Sequence, residues 1–242
     1  MKGSALKVIG YARTDIGLKR KINQDAFLKD DALQLYVVAD GMGGHRGGEV
    51  ASQLAVDVMR RFCAENPSMA PRERLDKAVN LSCKEIFEQS KKNSDLAGMG
   101  TTIVAVAFHE GAAYIAQVGD SRVYLMSNGG IWQVTEDHSL VNEEIRAGRL
   151  AVGQESTYQF RNVITRSVGY EDHVNVDVYR RTVASGDTFL LCTDGLSGMV
   201  SIAEIRDGVA KHGPEMGLKS LIGLANARGG DDNITALIVE VV

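Results

Sequence analysis

No stretch of this sequence is apolar for the roughly 20 residues that a membrane-spanning helix needs. The opening Met1-Lys2-Gly3-Ser4-Ala5-Leu6 also lacks the apolar centre of a secretory signal, so the chain is expected in the cytoplasm with no membrane partner. An excess of positive charge is missing too: 27 Lys and Arg stand against 31 Asp and Glu, for a net charge of -4. The basic residues are dispersed apart from Lys19-Arg20-Lys21, read here as a solvated loop. Neutralising a phosphate backbone takes a basic field, so nucleic acid is not an expected partner. Cysteine is scarce and unpaired. Cys63 and Cys83 fall in helix-like segments and Cys192 in a strand-like run, an odd number without ligand spacing. That excludes a disulfide framework and a zinc site, and it suits buried thiols in a reducing compartment. Tandem repeats and low-complexity tails are absent as well.

What the chain does have is acid in an unusual place. Four aspartates adjoin apolar runs: Asp40 after Leu35 to Ala39, Asp120 after Ala113 to Gly119, Asp194 after Phe189 to Thr193, and Asp232 before Asn233 to Val239. A single Asp-Gly ordinarily makes a turn, because aspartate caps backbone N–H groups and glycine accepts positive φ. Four carboxylates at the ends of apolar strands ask for more. If they converge they repel one another and are costly to desolvate, unless a cation joins them. Ligands made only of oxygen suit hard divalent cations, and the glycines of Asp40-Gly41 and Asp194-Gly195 leave backbone carbonyls accessible.

With 242 residues, 44% of them hydrophobic and 24% charged, the chain can bury a sizeable core, and residues 1–242 are expected to form one domain. Strand-like runs come first, at Lys7 to Thr14, Ala26 to Lys29 and Gln34 to Ala39. From Gly47 to Ala64 the period changes to that of a helix, with Val50, Leu54, Val58 and Phe62 spaced by four. A second helix opens at Pro71, suited to a first turn, and runs to Lys91. Strands return at Thr102 to Phe108, Ala112 to Val118 and Arg122 to Ser127, an antiparallel meander with Asn128-Gly129-Gly130 closing the next hairpin. The polar segment from about 137 to 169, with one helical stretch near Leu140 to Ala147, is long for a plain connection and reads as a flap. Strands at Val174 to Arg180 and Thr188 to Cys192, helices at Ile202 to Lys211 and Pro214 to Ala227, and a last strand from Asn233 to Val241 complete the chain. Strands in two sets with helices in pairs between them predict an α+β fold: a four-layer α-β-β-α sandwich of two antiparallel sheets.

Ten short motifs carry a resemblance across residues 8 to 240. They are Arg13, Asn23-Gln24-Asp25, Asp40-Gly41-Met42-Gly43-Gly44, Gly47 to Ser52, Gly100-Thr101-Thr102, Gly119-Asp120-Ser121-Arg122, Thr135 to Ser139, Asn162 to Arg166, Thr193-Asp194-Gly195 and Asp232-Asn233. In this order they resemble the metal-dependent protein phosphatases of type 2C, the PPM family, in their single-domain bacterial form. The resemblance implies a metal site at one edge between the sheets and a serine/threonine protein phosphatase. It also implies two Mn2+ or Mg2+ ions bridging a water that attacks phosphorus directly. Asp40, Asp194 and Asp232 match the carboxylate ligands, and Gly41 the carbonyl ligand. Asp120 and Asp194 match the holders of a weaker third ion. Arg13 matches the arginine that clamps phosphate, a task for a bidentate guanidinium. Asp25 matches an aspartate acting through water, and Asn233 a neighbour that orients Asp232. The implied partners are phosphorylated proteins, the targets of a bacterial serine/threonine kinase, met by a monomer.

The chain also departs from the family. Met42 stands where animal members carry the histidine proposed as general acid, and a thioether transfers no proton. His45 or a water on the third ion is the available substitute. Gly198 stands where some relatives have a further acid, so the third site is expected to be weak. His138 belongs to the flap. Competing readings are a silent phosphoprotein-binding relative, a phosphatase within a partner-switching pathway, and a hydrolase of small phosphate esters.

Overall fold

A computed structural model describes residues 7–242, apart from the side chains of His45 and Ser156. The elements in chain order are β1 (Val8–Asp15), β2 (Asp25–Asp30), β3 (Leu35–Met42), α1 (Gly44–Glu65), α2 (Pro71–Lys92), β4 (Gly100–Thr101), β5 (Ile103–His109), β6 (Ala112–Val118), β7 (Arg122–Ser127), β8 (Gly130–Gln133), α3 (Leu140–Arg146), β9 (Asp177–Thr182), β10 (Thr188–Cys192), α4 (Asp194–Ser197), α5 (Ile202–Ala227) and β11 (Ile234–Val241). One sheet runs β1-β11-β10-β7-β8. The other runs β2-β3-β5-β6-β9, with β4 paired to the far end of β3, and every pairing is antiparallel.

Alternation along the strands builds the layers, since successive side chains leave a strand on opposite faces. In β3, Tyr36 and Val38 join Val104, Ile115, Phe189, Leu191 and Leu237 between the sheets, while Val37 and Ala39 meet α1 and α2. In β10, Phe189 and Leu191 face the same interior, while Leu190 and Cys192 pack with Ile205, Leu218 and Leu221 of α5. Phe108 locks the central layer edge-on between Tyr36 and Phe189, with ring centroids 6.0 and 5.5 Å away. The expected four-layer α-β-β-α sandwich is the fold observed. All three cysteines are free and buried, Cys63 in α1, Cys83 in α2 and Cys192 in β10.

Local readings shift in three places, and at a fourth, α5, the expected pair of helices is observed. α1 begins at Gly44 and fully buries Ala51, Ala55, Val58 and Met59, so Val58 is packed as expected while Val50, Leu54 and Phe62 lie at the edge of the stripe. The strand expected at Val174 begins at Asp177, because the preceding residues turn along α2, where Val174 N–H donates to Asn80 Oδ1. α4, only four residues long, is too short to announce itself by periodicity. α5 is two helices meeting at Gly213, whose φ of 73° stops the first before Pro214 starts the second.

Candidate active site

The four aspartates arrive from separate elements. Asp40 is near the end of β3, Asp120 sits in the β6–β7 turn, Asp194 opens α4 directly after β10, and Asp232 precedes β11. All four line one cavity of about 360 Å³, together with Gly41, Met42, Thr102, Ile164 and Arg20. The β2–β3 register sets Asp25 opposite Asp40.

Their backbones are tightly held. Asp40 N–H donates to Thr102 Oγ1 at 3.0 Å, and the Asp40 carbonyl accepts from Thr101 Oγ1 and Thr102 N–H. Thr102 Oγ1 also hydrogen-bonds Ser121 Oγ at 2.7 Å, tying the Asp40 strand to the Asp120 turn. The glycine after each strand-end aspartate has a packing reason rather than the positive φ of an ordinary turn. A Cβ on Gly41 would stand 2.0 Å from the Gly48 carbonyl oxygen, and one on Gly195 would stand 1.9 Å from that of Asn233.

Burial is the main force on these acids and repulsion adds to it. Burial pushes Asp25 up to about 7, with hydrogen bonds from Thr235 and Thr193 holding it down and the charges of Asp194 and Asp232 raising it further. Asp120 is pushed up to about 7, first by burial and then by Asp194 and Asp137. Asp40 lies well above the ordinary carboxylate range, from burial and then from Asp25, Asp194, Asp120 and Asp232. Asp194 is raised by burial and by Asp232. Buried oxygens of Asp25 and Asp194 (Oδ1 in each) find no hydrogen-bond partner. Orphaned, mutually repelling carboxylates in a polar cavity fit divalent cations. Among the described residues no three acidic, histidine or cysteine side chains already close on a single point.

Arg13 is a correction. It is exposed on β1 and lines a different, shallow cleft with Tyr11, Phe27, Lys29 and Glu215, so the structure does not bring it to the aspartates. Among the described residues the cationic side chain lining the cavity is Arg20, whose Nη2 donates to Asp232 Oδ2 at 2.7 Å. The reading of Lys19-Arg20-Lys21 as a solvated loop missed it. Asn233 explains the placement: its Nδ2 donates to the carbonyls of Ile16 and Ile22, and its Oδ1 accepts from Gln24 N–H. That side chain staples both ends of the loop carrying Arg20, while its own N–H donates to Asp232 Oδ1 at 2.8 Å. A usable signal existed in the position of Arg20, three residues before Asn23-Gln24-Asp25. His45 falls in the first turn of α1, and its side chain lies outside the described residues.

Beside the cavity the flap is joined to the sheets. Arg122 grips Asp137 with Nε and Nη2, at 2.6 Å for the shortest contact. His138 is buried, accepts from Gly119 N–H at Nδ1 and meets Asp177 at Nε2, which makes it a brace between the flap base and the Asp120 turn. Asn162 and Ile164 of the flap reach the cavity wall.

A sequence profile of protein phosphatase 2C matches residues 18–216. The chain belongs to the protein phosphatase 2C family. It is 39% identical over 237 residues to the serine/threonine phosphatase stp of Listeria innocua, covering 94% of each chain. The crystal structure of the Mycobacterium tuberculosis serine/threonine phosphatase PstP/Ppp superimposes with a TM-score of 0.92 at 33% identity, covering 98% of this chain and 99% of that one. The catalytic domain of PstP in complex with two manganese ions gives 0.89 at 34% identity, covering 98% and 100%. The family resemblance, the sandwich fold and the protein phosphatase class read from the sequence are borne out.

Proposed function

We propose that this chain is a metal-dependent phosphatase of phosphoserine and phosphothreonine in proteins, acting as one catalytic domain over residues 1–242 with 137–169 as its flap. The observation that carries the reading is the convergence of half-buried, mutually repelling carboxylates on a cavity in which Arg20 is, among the described residues, the one lining guanidinium. In this reading Asp40, Asp194, Asp232 and the Gly41 carbonyl hold two cations, manganese or magnesium, and Asp120 with Asp194 holds a weaker third. Such a pair, when bound, supplies Lewis acidity at the phosphoryl oxygens and a water made nucleophilic at neutral pH.

The chain's own residues do the rest. Arg20 turns its planar fork from Asp232 to two phosphoryl oxygens, orienting the ester and balancing its charge. Met42 and Ile164 contribute apolar wall to an otherwise polar cavity. Asp25 and Asn233 position the ligand strands and the Arg20 loop. Cytoplasmic placement, action as a monomer and opposition to a bacterial serine/threonine kinase complete the proposal. In support, among the described residues no helix is long and apolar enough to cross a membrane, and similar proteins such as that of Listeria innocua are serine/threonine phosphatases.

The clamp assignment is tested by exchanging two arginines. Arg20→Ala is expected to lower kcat/KM on a phosphothreonine peptide roughly a hundredfold, the worth of about two charge-assisted hydrogen bonds. Arg13→Ala should leave it unchanged. The reverse ranking would return the clamp to Arg13.

His45 is assigned the proton for the leaving alkoxide. His45→Ala should slow the phosphothreonine peptide by roughly a hundredfold, within the usual range for general acid catalysis, yet barely change an aryl phosphate whose leaving group needs no proton. Equal losses on both esters would remove that role from His45.

A further inference from the structure

A second cavity, of about 660 Å³, opens beside the aspartates and shares two wall residues with them, Met42 and Ile164. Its remaining walls are Gly98 and the chain's return out of the flap, Thr165 to Asn175, including Arg166, Tyr170 and Glu171, none of which lines the acidic cavity.

The far wall is unusually well fixed for an exposed turn. Gly169 N–H donates to the buried Cys83 Sγ at 3.2 Å, and the same thiol donates to the Glu171 carbonyl at 3.1 Å. Val168 exchanges two backbone hydrogen bonds with Thr101, at 2.8 and 2.9 Å. Between these anchors Tyr170 is 70% exposed, a large aromatic ring held toward solvent by a pinned backbone. Glu171 is exposed and has no ion-pair partner among the described residues. Arg166, by contrast, is already paired with Asp177. The free charge of the groove is therefore negative, next to an aromatic face.

We propose that this groove holds the polypeptide on one side of the phosphorylated residue, and that Tyr170 and Glu171 select a basic side chain there. This rests on the phosphatase reading above and deepens it. A lysine or arginine a few residues from the phosphate lies over the ring face and pairs with the carboxylate, with little ordering cost because the turn is already fixed.

The test compares two phosphothreonine peptides that differ only in carrying arginine or glutamate within three residues on either side, with para-nitrophenyl phosphate as an ester that has no flanking residues. With manganese, the arginine peptide is expected to show a kcat/KM roughly five- to tenfold higher, the combined worth of an exposed ion pair and a cation–π contact. Glu171→Lys should erase or invert that preference. Tyr170→Ala should raise KM for the arginine peptide without lowering kcat, and both variants should hydrolyse the aryl phosphate as wild type does. Wild-type rates on the two peptides within about twofold of each other, or variants that leave the preference intact, would overturn the proposal. A failure of the phosphatase reading itself looks different: neither peptide nor the aryl phosphate is turned over, which overturns both.

Discussion

Asp194→Asn is expected to cut turnover about a thousandfold while making the cation-free protein more stable. Asp194 lines the cavity, one of its buried oxygens lacks a partner, and its charge raises the protonation of both Asp25 and Asp40. Asparagine keeps the shape, removes the charge and adds a donor facing neighbouring carboxylates. Losing one ligand shared by the cations should cost on the order of a thousandfold in kcat/KM with manganese, about 4 kcal/mol of transition-state stabilisation. In EDTA the same change relieves repulsion of about 1 to 2 kcal/mol, which for a chain of this size is roughly 3 to 6 °C in Tm. Calorimetry in EDTA and peptide turnover in manganese read the two effects separately. A variant both inactive and less stable than wild type would mean that Asp194 serves the fold rather than the cations.

The second large effect is the pH dependence of the cation-free fold. Asp25 and Asp120 hold their protons to about 7 in the folded chain, against an ordinary value of 3.8. Between those values the folded state binds more protons than the unfolded one, so stability falls as pH rises. The contribution is fully present below about pH 4 and is lost as pH passes 7, a decline on the order of a few kcal/mol. In EDTA, Tm should drop between pH 5 and pH 8. Manganese should reverse the drop, with its stabilisation largest at pH 8, where the carboxylates are ionised, and small at pH 5. A Tm that rises with pH in EDTA would contradict the repulsive cluster.

Much of this was readable without coordinates because it is local. Period-four spacing marks α1 and α2, apolar runs mark the strands, and the break at Gly213-Pro214 separates two helices in the sequence as it does in space. Strand order is less local: β1 pairs with β11, the first strand with the last, and no residue pattern announces that partner. The acids stood out because a carboxylate at the end of an apolar strand is costly to bury without a reason. Arg20 did not, because a lysine-flanked arginine in a loop resembles solvated charge, and what turns it inward is the distant side chain of Asn233. The strand-end glycines were legible as glycines but not for their reason, since the carbonyls that crowd Gly41 and Gly195 come from other segments of the chain.

Turnover of a phosphothreonine peptide by the wild-type chain across a titration of buffered free manganese tests the central claim most directly. The converging aspartates predict no hydrolysis in EDTA, a rise that saturates as cations fill the site, and full recovery when a chelated sample is reloaded. Hydrolysis undiminished by EDTA, or a folded chain silent with every divalent cation tried, would contradict it.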